Sequence, residues 1–286
     1  MRFGIGTAQF GMDYGISSSD AMISQKNIIE ILNYSRLKNI KTIDTAIAYG
    51  KSEHRLGLAG VNDFEVISKI PRIPIDNVSS VEEWVVKQVN QSLSKLKIKK
   101  LEAVLLHRPD QLLEKEGPEL ISALNYIKEI GLVKKIGISI YSPCELDSLC
   151  NTFSLDIVQA PFNIFDRRIS SSGWLKELKE NNIEVHTRSA FLQGLLLLEK
   201  NQIPEQFNKW DILFDQWHSW LKNSKLNPIQ GCLSFILSNN LIDKFIIGIQ
   251  SKNQLKDLIN LENYNPNLDF PDIGSDDENL VNPSKW

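Results

Sequence analysis

Short apolar runs rich in β-branched residues alternate along this chain with longer segments whose apolar positions recur at helical spacing. Runs of the first kind are typical of buried strands, and we find eight of them. We therefore predict strands over Phe3–Thr7, Lys41–Thr45, Phe64–Lys69, Leu101–His107, Lys135–Ser139, Ile157–Gln159, Ile183–Arg188 and Lys244–Gly248.

The segments between these runs carry the start and stop signals of helices. Ser24 and Ser80 stand where an N-cap side chain would accept a backbone N–H, and Gly131 stands where a left-handed residue would end a helix. Two shorter helices are expected to open at Ser52 and Ser142. The longer helices are predicted over Gln25–Lys38, Val81–Lys95, Pro118–Ile130, Gly173–Asn181, Glu205–Lys222, Pro228–Leu237 and Ser251–Asn260.

This order of elements predicts one α/β domain, a (β/α)8 TIM barrel over residues 1–264, because strand and helix alternate without a change of composition that marks a linker. A doubly wound sheet with a second domain is the alternative. Residues 265–286 contain three prolines and many acidic side chains without periodicity. They are expected to form an irregular C-terminal tail that is either disordered or covers the active-site end of the barrel, and Trp286 favours the covering role.

Composition and charge narrow the class of protein. Apolar residues make up 42% and charged residues 23% of the chain, and the net charge of −3 predicts no basic surface for nucleic acid or an anionic membrane. No stretch approaches the ~20 apolar residues of a membrane span, and the first residues lack a leader pattern. The three cysteines lack the spacing of metal ligands, so reduced thiols in a cytoplasmic protein are expected.

The predicted strands end in polar side chains where a core would favour Val, Ile or Leu. In a (β/α)8 barrel these ends share the C-terminal face, where active sites are assembled. A buried polar group costs free energy unless it is paired, so six such endings in order predict a polar pocket. The residues are Asp44, Lys69, His107, Ser139, Gln159 and Arg188.

Neighbouring strands bring Asp44, Lys69 and His107 together, and Tyr49 follows in the loop after the second strand. A phenol with its usual pKa of ~10 exchanges protons poorly near neutrality. A neighbouring ammonium group lowers that pKa, and a carboxylate behind the lysine would hold the ammonium group in place. The set suits delivery of a proton to an oxygen that gains electrons, as in carbonyl reduction or its reverse.

These four residues, in the contexts IDTAIAYGKSEHRLG, VISK and LLHRPD, resemble the aldo-keto reductase superfamily, and the resemblance covers essentially the whole chain. It implies a (β/α)8 barrel that uses NADPH, or in some members NADH, to reduce aldehydes and ketones. It also implies that Tyr49 is the general acid, that Lys69 and Asp44 lower its pKa, and that His107 orients the carbonyl group.

The resemblance further assigns residues to the dinucleotide. Ser139 in GISIYSPCEL matches the serine that usually holds the nicotinamide carboxamide, and Gln159 in VQAPFN matches its glutamine partner. RSAFLQGLL and IGIQSKNQL match the segments that cover the dinucleotide and surround its adenosine phosphate. The implied cofactor-binding set is Ser139, Gln159, Arg188, Ser189, Phe191, Gln193, Gly248, Gln250, Ser251, Lys252 and Gln254.

Three departures from the family pattern bear on the cofactor. Ile140 stands where asparagine is frequent, Arg188 where an aromatic ring commonly stacks on the nicotinamide, and Gln250 where NADPH-preferring members often carry arginine. Ser251 and Lys252 then remain as the evident partners for a 2′-phosphate. The resemblance favours NADP(H), and NAD(H) stays open.

The substrate side is less specified by sequence. Gln9 and Asn163 are expected to face the substrate, while the pair Arg167-Arg168 is either a surface charge pair or a site for an anionic substrate. The phrases GTAQFGMDYGI and NPSKW resemble bacterial aldo-keto reductases that accompany sugar or surface-glycan pathways. A small polar, sugar-derived carbonyl or alcohol substrate is therefore the expectation.

Two other functions compete with an oxidoreductase. A non-catalytic or regulatory dinucleotide-binding barrel would keep the fold without turnover, and the intact set around Tyr49 disfavours it. A metal-dependent hydrolase would need clustered His, Asp or Glu at the strand ends, which hold one histidine and one aspartate with a lysine between them. We therefore expect no metal, and a monomer or small homo-oligomer.

Overall fold

The computed structural model describes residues 1–13, 15, 22–74, 79–262 and 268–286 of the chain. Within these residues eight parallel strands follow one another in chain order and close into a barrel, which confirms the (β/α)8 prediction and excludes a doubly wound sheet. The strands are β1 (Phe3–Gly6), β2 (Thr42–Asp44), β3 (Glu65–Ile70), β4 (Leu101–Leu106), β5 (Val133–Ser139), β6 (Ile157–Pro161), β7 (Glu184–Arg188) and β8 (Lys244–Gly248).

Helices connect the strands and surround the barrel. The α-helices among the described residues are α1 (Ala8–Gly11), α2 (Gln25–Leu37), α3 (Ser52–Ala59), α4 (Val81–Leu96), α5 (Gly117–Glu129), α6 (Leu146–Thr152), α7 (Arg168–Ser171), α8 (Trp174–Glu180), α9 (Asp211–Ser224), α10 (Pro228–Ser238), α11 (Lys252–Glu262) and α12 (Glu278–Val281). Turns of 3-10 helix lie at Pro109–Leu113, Pro143–Glu145, Leu192–Leu197, Lys200–Gln202, Glu205–Trp210 and Pro283–Lys285. None of these described helices has the length and apolar character needed to cross a membrane.

Helix α2 shows how apolar periodicity becomes a packed face. Ser24 accepts the backbone N–H of Asn27 at 3.1 Å, which confirms it as the N-cap. Ile28, Ile31 and Leu32 recur at helical spacing and are buried on one face. Burying each side chain contributes roughly 1.5–3 kcal/mol. Packing of this face therefore outweighs the small differences in intrinsic helix propensity.

An apolar layer fills the middle of the barrel. Alternate residues of a strand point to the same side, so in β3 the residues Glu65, Ile67 and Lys69 all face the interior. Ile67 belongs to a buried apolar cluster with residues of β4 and β6. The layer separates the polar strand ends at the carboxyl face from a second polar region at the amino face. Its members are Ile67, Ala103, Leu105 and Ile157.

A polar cavity of ≈ 540 Å³ lies at the amino ends of the strands. Lys135 forms ion pairs there with Glu102, at 3.4 Å, and with Glu184. His186 bonds Glu184 through Nε2 at 2.8 Å, and hydrogen bonds from His186 and Lys135 lower the pKa of Glu184 to about 2. His186 is buried inside the barrel away from the carboxyl-end site, and its Nδ1 has no hydrogen-bond partner in the described structure.

Two predicted segments differ from the observed elements. The helix predicted over Glu205–Lys222 is divided, because Trp210 has φ −110° and ψ 18°, which are not helical angles. A 3-10 segment precedes this residue and α9 follows it. The short helix α7 after β6 was not predicted, since four residues are too few for a periodic pattern.

The described part of the tail is ordered and contains one α-helical turn and one 3-10 turn. Its backbone reaches the loop after β6, where the N–H of Ser275 donates to the carbonyl of Phe165 at 2.8 Å. Trp286 packs edge-on against Phe207, with ring centroids 4.9 Å apart. Residues 265–267 of the predicted tail lie outside the described part of the chain.

Gly57 tests how tightly α3 packs on α4. A Cβ at this position would overlap the backbone carbonyl oxygen of Lys95, which cannot move like the end of a flexible side chain. We expect Gly57→Ala to lower the free energy of unfolding by ~1–3 kcal/mol, measured by urea denaturation. His54→Ala, at an exposed position of the same helix, is the control and should change stability far less. Equal stabilities for Gly57→Ala and the wild type would contradict the close approach.

Candidate active site

A buried ion pair joins the ends of β2 and β3. The Nζ atom of Lys69 lies 2.5 Å from Oδ1 of Asp44 and donates to the carbonyl of Thr45 at 3.1 Å. The other carboxylate oxygen of Asp44 accepts a hydrogen bond from Nε2 of Gln159 at 2.7 Å. Asp44, Lys69 and Gln159 are at most 3% exposed. Removing one partner of such a pair strands a buried charge, which costs about 3–5 kcal/mol.

The loop after β2 presents Tyr49 to this ion pair. The N–H of Ile47 donates to the carbonyl of Lys69 at 3.1 Å, and the N–H of Tyr49 donates to the carbonyl of Ala46 at 3.0 Å. Gly11 packs against the loop so closely that a Cβ there would overlap the Tyr49 carbonyl oxygen. The position of Tyr49 is therefore fixed from β3 and from the segment that follows β1.

Buried hydroxyl groups support the same loop, and sequence reasoning did not identify them. Thr7 donates to the carbonyl of Asp44 through its backbone N–H, at 3.0 Å, and through its hydroxyl, at 2.9 Å. Ser52 hydrogen-bonds to Thr7 and accepts from Thr45 at 3.1 Å. In the sequence these residues are ordinary hydroxyl side chains, and their shared position becomes evident once β1 and β2 are paired.

The four predicted catalytic residues lie together at the carboxyl end of the barrel. Nζ of Lys69 is 5.2 Å from the ring centroid of Tyr49, and the rings of Tyr49 and His107 meet edge to face with centroids 5.9 Å apart. Tyr49 and His107 are partly exposed, whereas Asp44 and Lys69 are buried. The phenol of Tyr49 and the imidazole of His107 thus face the opening at the carboxyl end of the barrel, which we call the mouth. The ion pair of Asp44 and Lys69 lies behind them.

The pKa of Tyr49 is raised above its usual value, contrary to the expectation that Lys69 and Asp44 together lower it. Burial is the largest cause, because it removes water from the phenolate, and the Asp44 carboxylate adds to it. Arg188 acts in the opposite direction. Burial outweighs this opposing charge, so Tyr49 keeps its proton at neutral pH.

His107 shows the opposite shift. Burial lowers its pKa to about 4, and the positive charges of Lys69, Arg188 and Arg108 act in the same direction, while Asp44 opposes them. The imidazole is therefore neutral at pH 7. A neutral imidazole has one N–H donor and one acceptor nitrogen, so it can donate to a carbonyl oxygen without carrying charge.

A cleft of ≈ 950 Å³ opens beside Tyr49 and runs between the loops that follow β1, β7 and β8. Gln9 lines it, and the side chain of Gln9 lies against Gly248, where a Cβ would come within 2.9 Å of the amide. Ten of the predicted site residues line this cleft. They are Gln9, Asp44, Tyr49, Arg188, Ser189, Phe191, Gln193, Gly248, Gln250 and Gln254.

The loop after β7 turns sharply over the cleft. Ser189 and Gln193 adopt left-handed backbone angles, with φ of 63° and 54°. The guanidinium of Arg188 donates to the carbonyl of Ile140 at 2.9 Å and lies 4.6 Å from the ring centroid of Tyr141. Arg188 thus stacks on an aromatic residue of the loop after β5, a contact that sequence reasoning missed.

The amino end of α11 borders the far side of the cleft. Ser251 accepts the backbone N–H of Gln254 at 3.2 Å, and Gln254 in turn accepts the N–H of Gln250 at 2.8 Å. Lys252 is exposed in the first turn. A helix N-terminus with a lysine in its first turn favours anionic groups.

The residues around the cleft fit a nicotinamide dinucleotide. Oε1 of Gln159 is a buried acceptor without a partner in the described structure, and this leaves it able to accept an amide N–H from a ligand. Ser139, its neighbour in register on β5, is also buried. The described residues hold no group of three or more His, Cys, Asp or Glu side chains that could bind a metal ion.

Asn163 bonds to neighbouring loops, and its expected role at the substrate stays a prediction. It is fully buried, donates to the carbonyl of Ser189 at 3.0 Å, and accepts the N–H groups of Phe165 and Asp166 at 2.9 Å each. The amide therefore shapes the loop after β6 and links it to the loop after β7.

Arg167 and Arg168 likewise differ from a surface charge pair. Arg168 forms a two-pronged ion pair with Asp166, both bonds at 2.9 Å, and Arg167 donates to the carbonyls of Ile164 and Pro271. Both arginines hold protein segments together, because their donors are occupied by neighbouring loops and the tail.

Comparisons with known proteins agree with this geometry. A model of the aldo/keto reductase family matches residues 2–271. The chain is 26% identical over 205 residues to the aldo-keto reductase YhdN of Bacillus subtilis, covering 68% of this chain and 60% of YhdN. It is 23% identical over 279 residues to the uncharacterized oxidoreductase YqkF of the same organism, covering 91% and 90%.

The fold is shared with solved structures. An aldo-keto reductase from Bacillus halodurans, in its holo form, superposes with a TM-score of 0.73 at 18% identity, covering 95% of this chain and 89% of that one. At this level of identity the likeness shows the fold.

The pKa of His107 can be measured by an NMR titration of its imidazole. We expect a midpoint near pH 4, upward movement in Lys69→Met, and downward movement in Asp44→Asn, because Lys69 lowers and Asp44 raises this pKa. Between the unfolded value of ~6.5 and the folded one, acid protonates the unfolded chain first. The contribution of His107 to the free energy of unfolding therefore falls as pH falls through this window. A midpoint near the unfolded pKa, or pKa shifts of the same sign in both variants, would contradict the expected effects of Lys69 and Asp44 on His107.

Proposed function

The chain belongs to the aldo/keto reductase family, and on that premise we propose that it interconverts a carbonyl and an alcohol group on a small polar substrate. Sugar-derived aldehydes are the first class to test. The enzyme is an NAD(P)H-dependent oxidoreductase. The observation that carries the proposal is the placement of Tyr49 and His107 at the mouth, with the buried Asp44–Lys69 pair behind them.

Tyr49 serves in this proposal as the general acid. Its raised pKa keeps the phenol protonated at neutral pH, so a proton is present when a carbonyl oxygen begins to gain negative charge. Transfer of this proton leaves a phenolate near the Lys69 ammonium group, which stabilises it. Asp44 pairs with that ammonium group, and Gln159 donates a hydrogen bond to the other oxygen of the Asp44 carboxylate, so the geometry of the pair is fixed.

His107 orients the carbonyl group. A neutral imidazole can donate a hydrogen bond to the oxygen without competing with Tyr49 as the proton source. Its edge-to-face contact with Tyr49 places the two rings beside each other, with centroids 5.9 Å apart. Gln9, which lines the cleft, and Asn163 are the other residues expected from sequence at the substrate.

The nicotinamide cofactor supplies the hydride in this family. Gln159 and Ser139 would hold its carboxamide, because Gln159 offers an unpartnered buried acceptor beside Ser139. Arg188, Ser189, Phe191 and Gln193 would cover the dinucleotide from the loop after β7. The adenosine end would lie on the segment after β8, at Gly248, Gln250, Ser251, Lys252 and Gln254.

We further propose that NADP(H) is preferred and that residues 265–286 form a tail covering the active-site end of the barrel over residues 1–264. Lys252 supports the cofactor choice, since an exposed ammonium group on a helix N-terminus suits a 2′-phosphate. Contacts of Arg167 and Arg168 with Pro271 and Glu278 support the tail, because they fasten it to the loop after β6.

Removing the phenolic hydroxyl tests the role of Tyr49. We expect Tyr49→Phe to lower kcat/KM for aldehyde reduction by ~10²–10⁴-fold, the usual contribution of a positioned proton donor. The assay follows NADPH absorbance with a panel of aldoses and small aldehydes. Tyr126→Phe, which removes an exposed hydroxyl on α5, is the matched control.

Cofactor binding, followed by NADPH fluorescence, separates the possible failures of this test. Full activity in Tyr49→Phe would refute the proton-donor role. Wild-type protein that binds NADPH but reduces none of the aldehydes would favour a non-catalytic or regulatory dinucleotide-binding protein instead.

Substitution of Lys252 tests the choice of dinucleotide. Loss of a charge-assisted hydrogen bond should weaken NADPH binding about tenfold in Lys252→Met and leave NADH binding nearly unchanged. The control is Lys256→Met, an exposed lysine one turn further along α11 with the same change of charge. Tighter binding of NADH than NADPH by the wild type would reverse the proposed preference.

A further inference from the structure

Five of the described arginines lie at or shortly after the carboxyl ends of strands, and three of them form ion pairs with acidic side chains. These three serve to connect loops. The contacts are Arg72 with Asp110 at 2.6 Å and with Glu114, Arg167 with Asp272 at 3.9 Å, and Arg168 with Asp166 at 2.9 Å and Glu278 at 3.6 Å.

Arg108 and Arg188 differ from these three, since neither forms an ion pair with a carboxylate in the part of the chain that the structure describes. Instead both lie over the same aromatic ring. The guanidinium carbons of Arg188 and Arg108 are 4.6 and 5.3 Å from the ring centroid of Tyr141. Two like charges on one ring repel each other unless an anion compensates them.

Hydrogen bonds hold the backbone of Tyr141 in place beneath these charges. Its carbonyl accepts from Arg168 at 2.9 Å, and its N–H donates to Oε1 of Glu145 at 2.7 Å. Arg188 is fixed as well, because it donates to the carbonyl of Ile140. A platform that is ordered before a ligand arrives loses less entropy on binding.

The two charges also reach the reacting end of the site. Arg108 follows His107 directly in the chain, and Arg108 and Arg188 both act to lower the pKa of His107. Arg188 additionally lines the cleft beside Tyr49. The positive potential therefore extends from the Tyr141 platform to the place where a carbonyl oxygen would lie.

We propose that Arg108 and Arg188, stacked on Tyr141, form a subsite for an anionic group on the carbonyl substrate, either a carboxylate or a phosphate ester. The planar fork of guanidinium N–H groups matches both anions, and stacking on the ring leaves the edges of the guanidinium groups able to donate. This inference rests on the proposed reductase function and names the class of its substrate.

The test compares matched aldehydes that differ in charge. One pair is succinic semialdehyde and its methyl ester, and the other is phosphorylated glyceraldehyde and glyceraldehyde. For wild type we expect kcat/KM to favour at least one charged member about tenfold or more over its neutral counterpart, through a lower KM. The pair that shows the preference identifies the anion as carboxylate or phosphate.

Arg108→Gln should reduce this charged-to-neutral ratio by about tenfold, mainly through KM of the charged aldehyde. Arg72→Gln is the matched control, because it removes an equal charge from an arginine already paired with Asp110, and the ratio should stay within about twofold. Raising the salt concentration should lower the wild-type ratio, since Arg108 is exposed and its field is screened.

The salt series needs no variant, so misfolding of Arg108→Gln would not prevent a decision. A wild type that reduces neutral aldehydes as well as charged ones would overturn the anionic subsite and leave the reductase proposal standing. An equal ratio in wild type and folded Arg108→Gln would also overturn it. Failure to reduce any aldehyde would overturn both proposals.

Discussion

The buried contact between the Asp44 carboxylate and the Lys69 ammonium group is the constraint on which the site depends. Two charges at the end of a barrel would be unstable singly, because each loses its water on burial. They persist here because Gln159 and the Thr45 carbonyl satisfy the remaining polar atoms. The pair joins three strands at one point, and the loop that carries Tyr49 is built directly onto it.

Burial and the charges nearby together set the protonation states of Tyr49 and His107. At Tyr49 burial is the largest cause of the raised pKa, the Asp44 carboxylate adds to it, and Arg188 opposes it. At His107 burial is again the largest cause, and Lys69 and two arginines lower its pKa further while Asp44 opposes them. The phenol of Tyr49 thus keeps its proton and the imidazole of His107 stays uncharged. Proton delivery and carbonyl orientation therefore belong to different side chains.

Much of this could be read from the chain. Polar residues at the ends of apolar runs, such as Lys69 and Gln159, revealed both the barrel and the face that carries its site, because strand ends of one sense must meet. Pairings between side chains could not be obtained in this way. The burial of Asn163 depends on a turn formed by Phe165 and Asp166, and the spacing of residues in the sequence does not predict this turn.

The direction of the Tyr49 shift was missed for a related reason. Sequence reasoning paired Lys69 with Asp44 and expected the pair to lower the pKa, whereas the burial of the phenol, which is the largest cause of the raised pKa, is a property of the folded site. Tyr141 was missed because an aromatic residue two places after a strand end has many ordinary uses. Its significance depends on the arginines that two other loops bring to it.

The apolar layer of Ile67, Ala103, Leu105 and Ile157 lies between the polar cavity at the amino ends of the strands and the candidate active site at their carboxyl ends. The two ends of the barrel can therefore change independently in evolution. Substitutions around Lys135 and Glu184 at the amino end can alter stability while the chemistry at the carboxyl end is preserved.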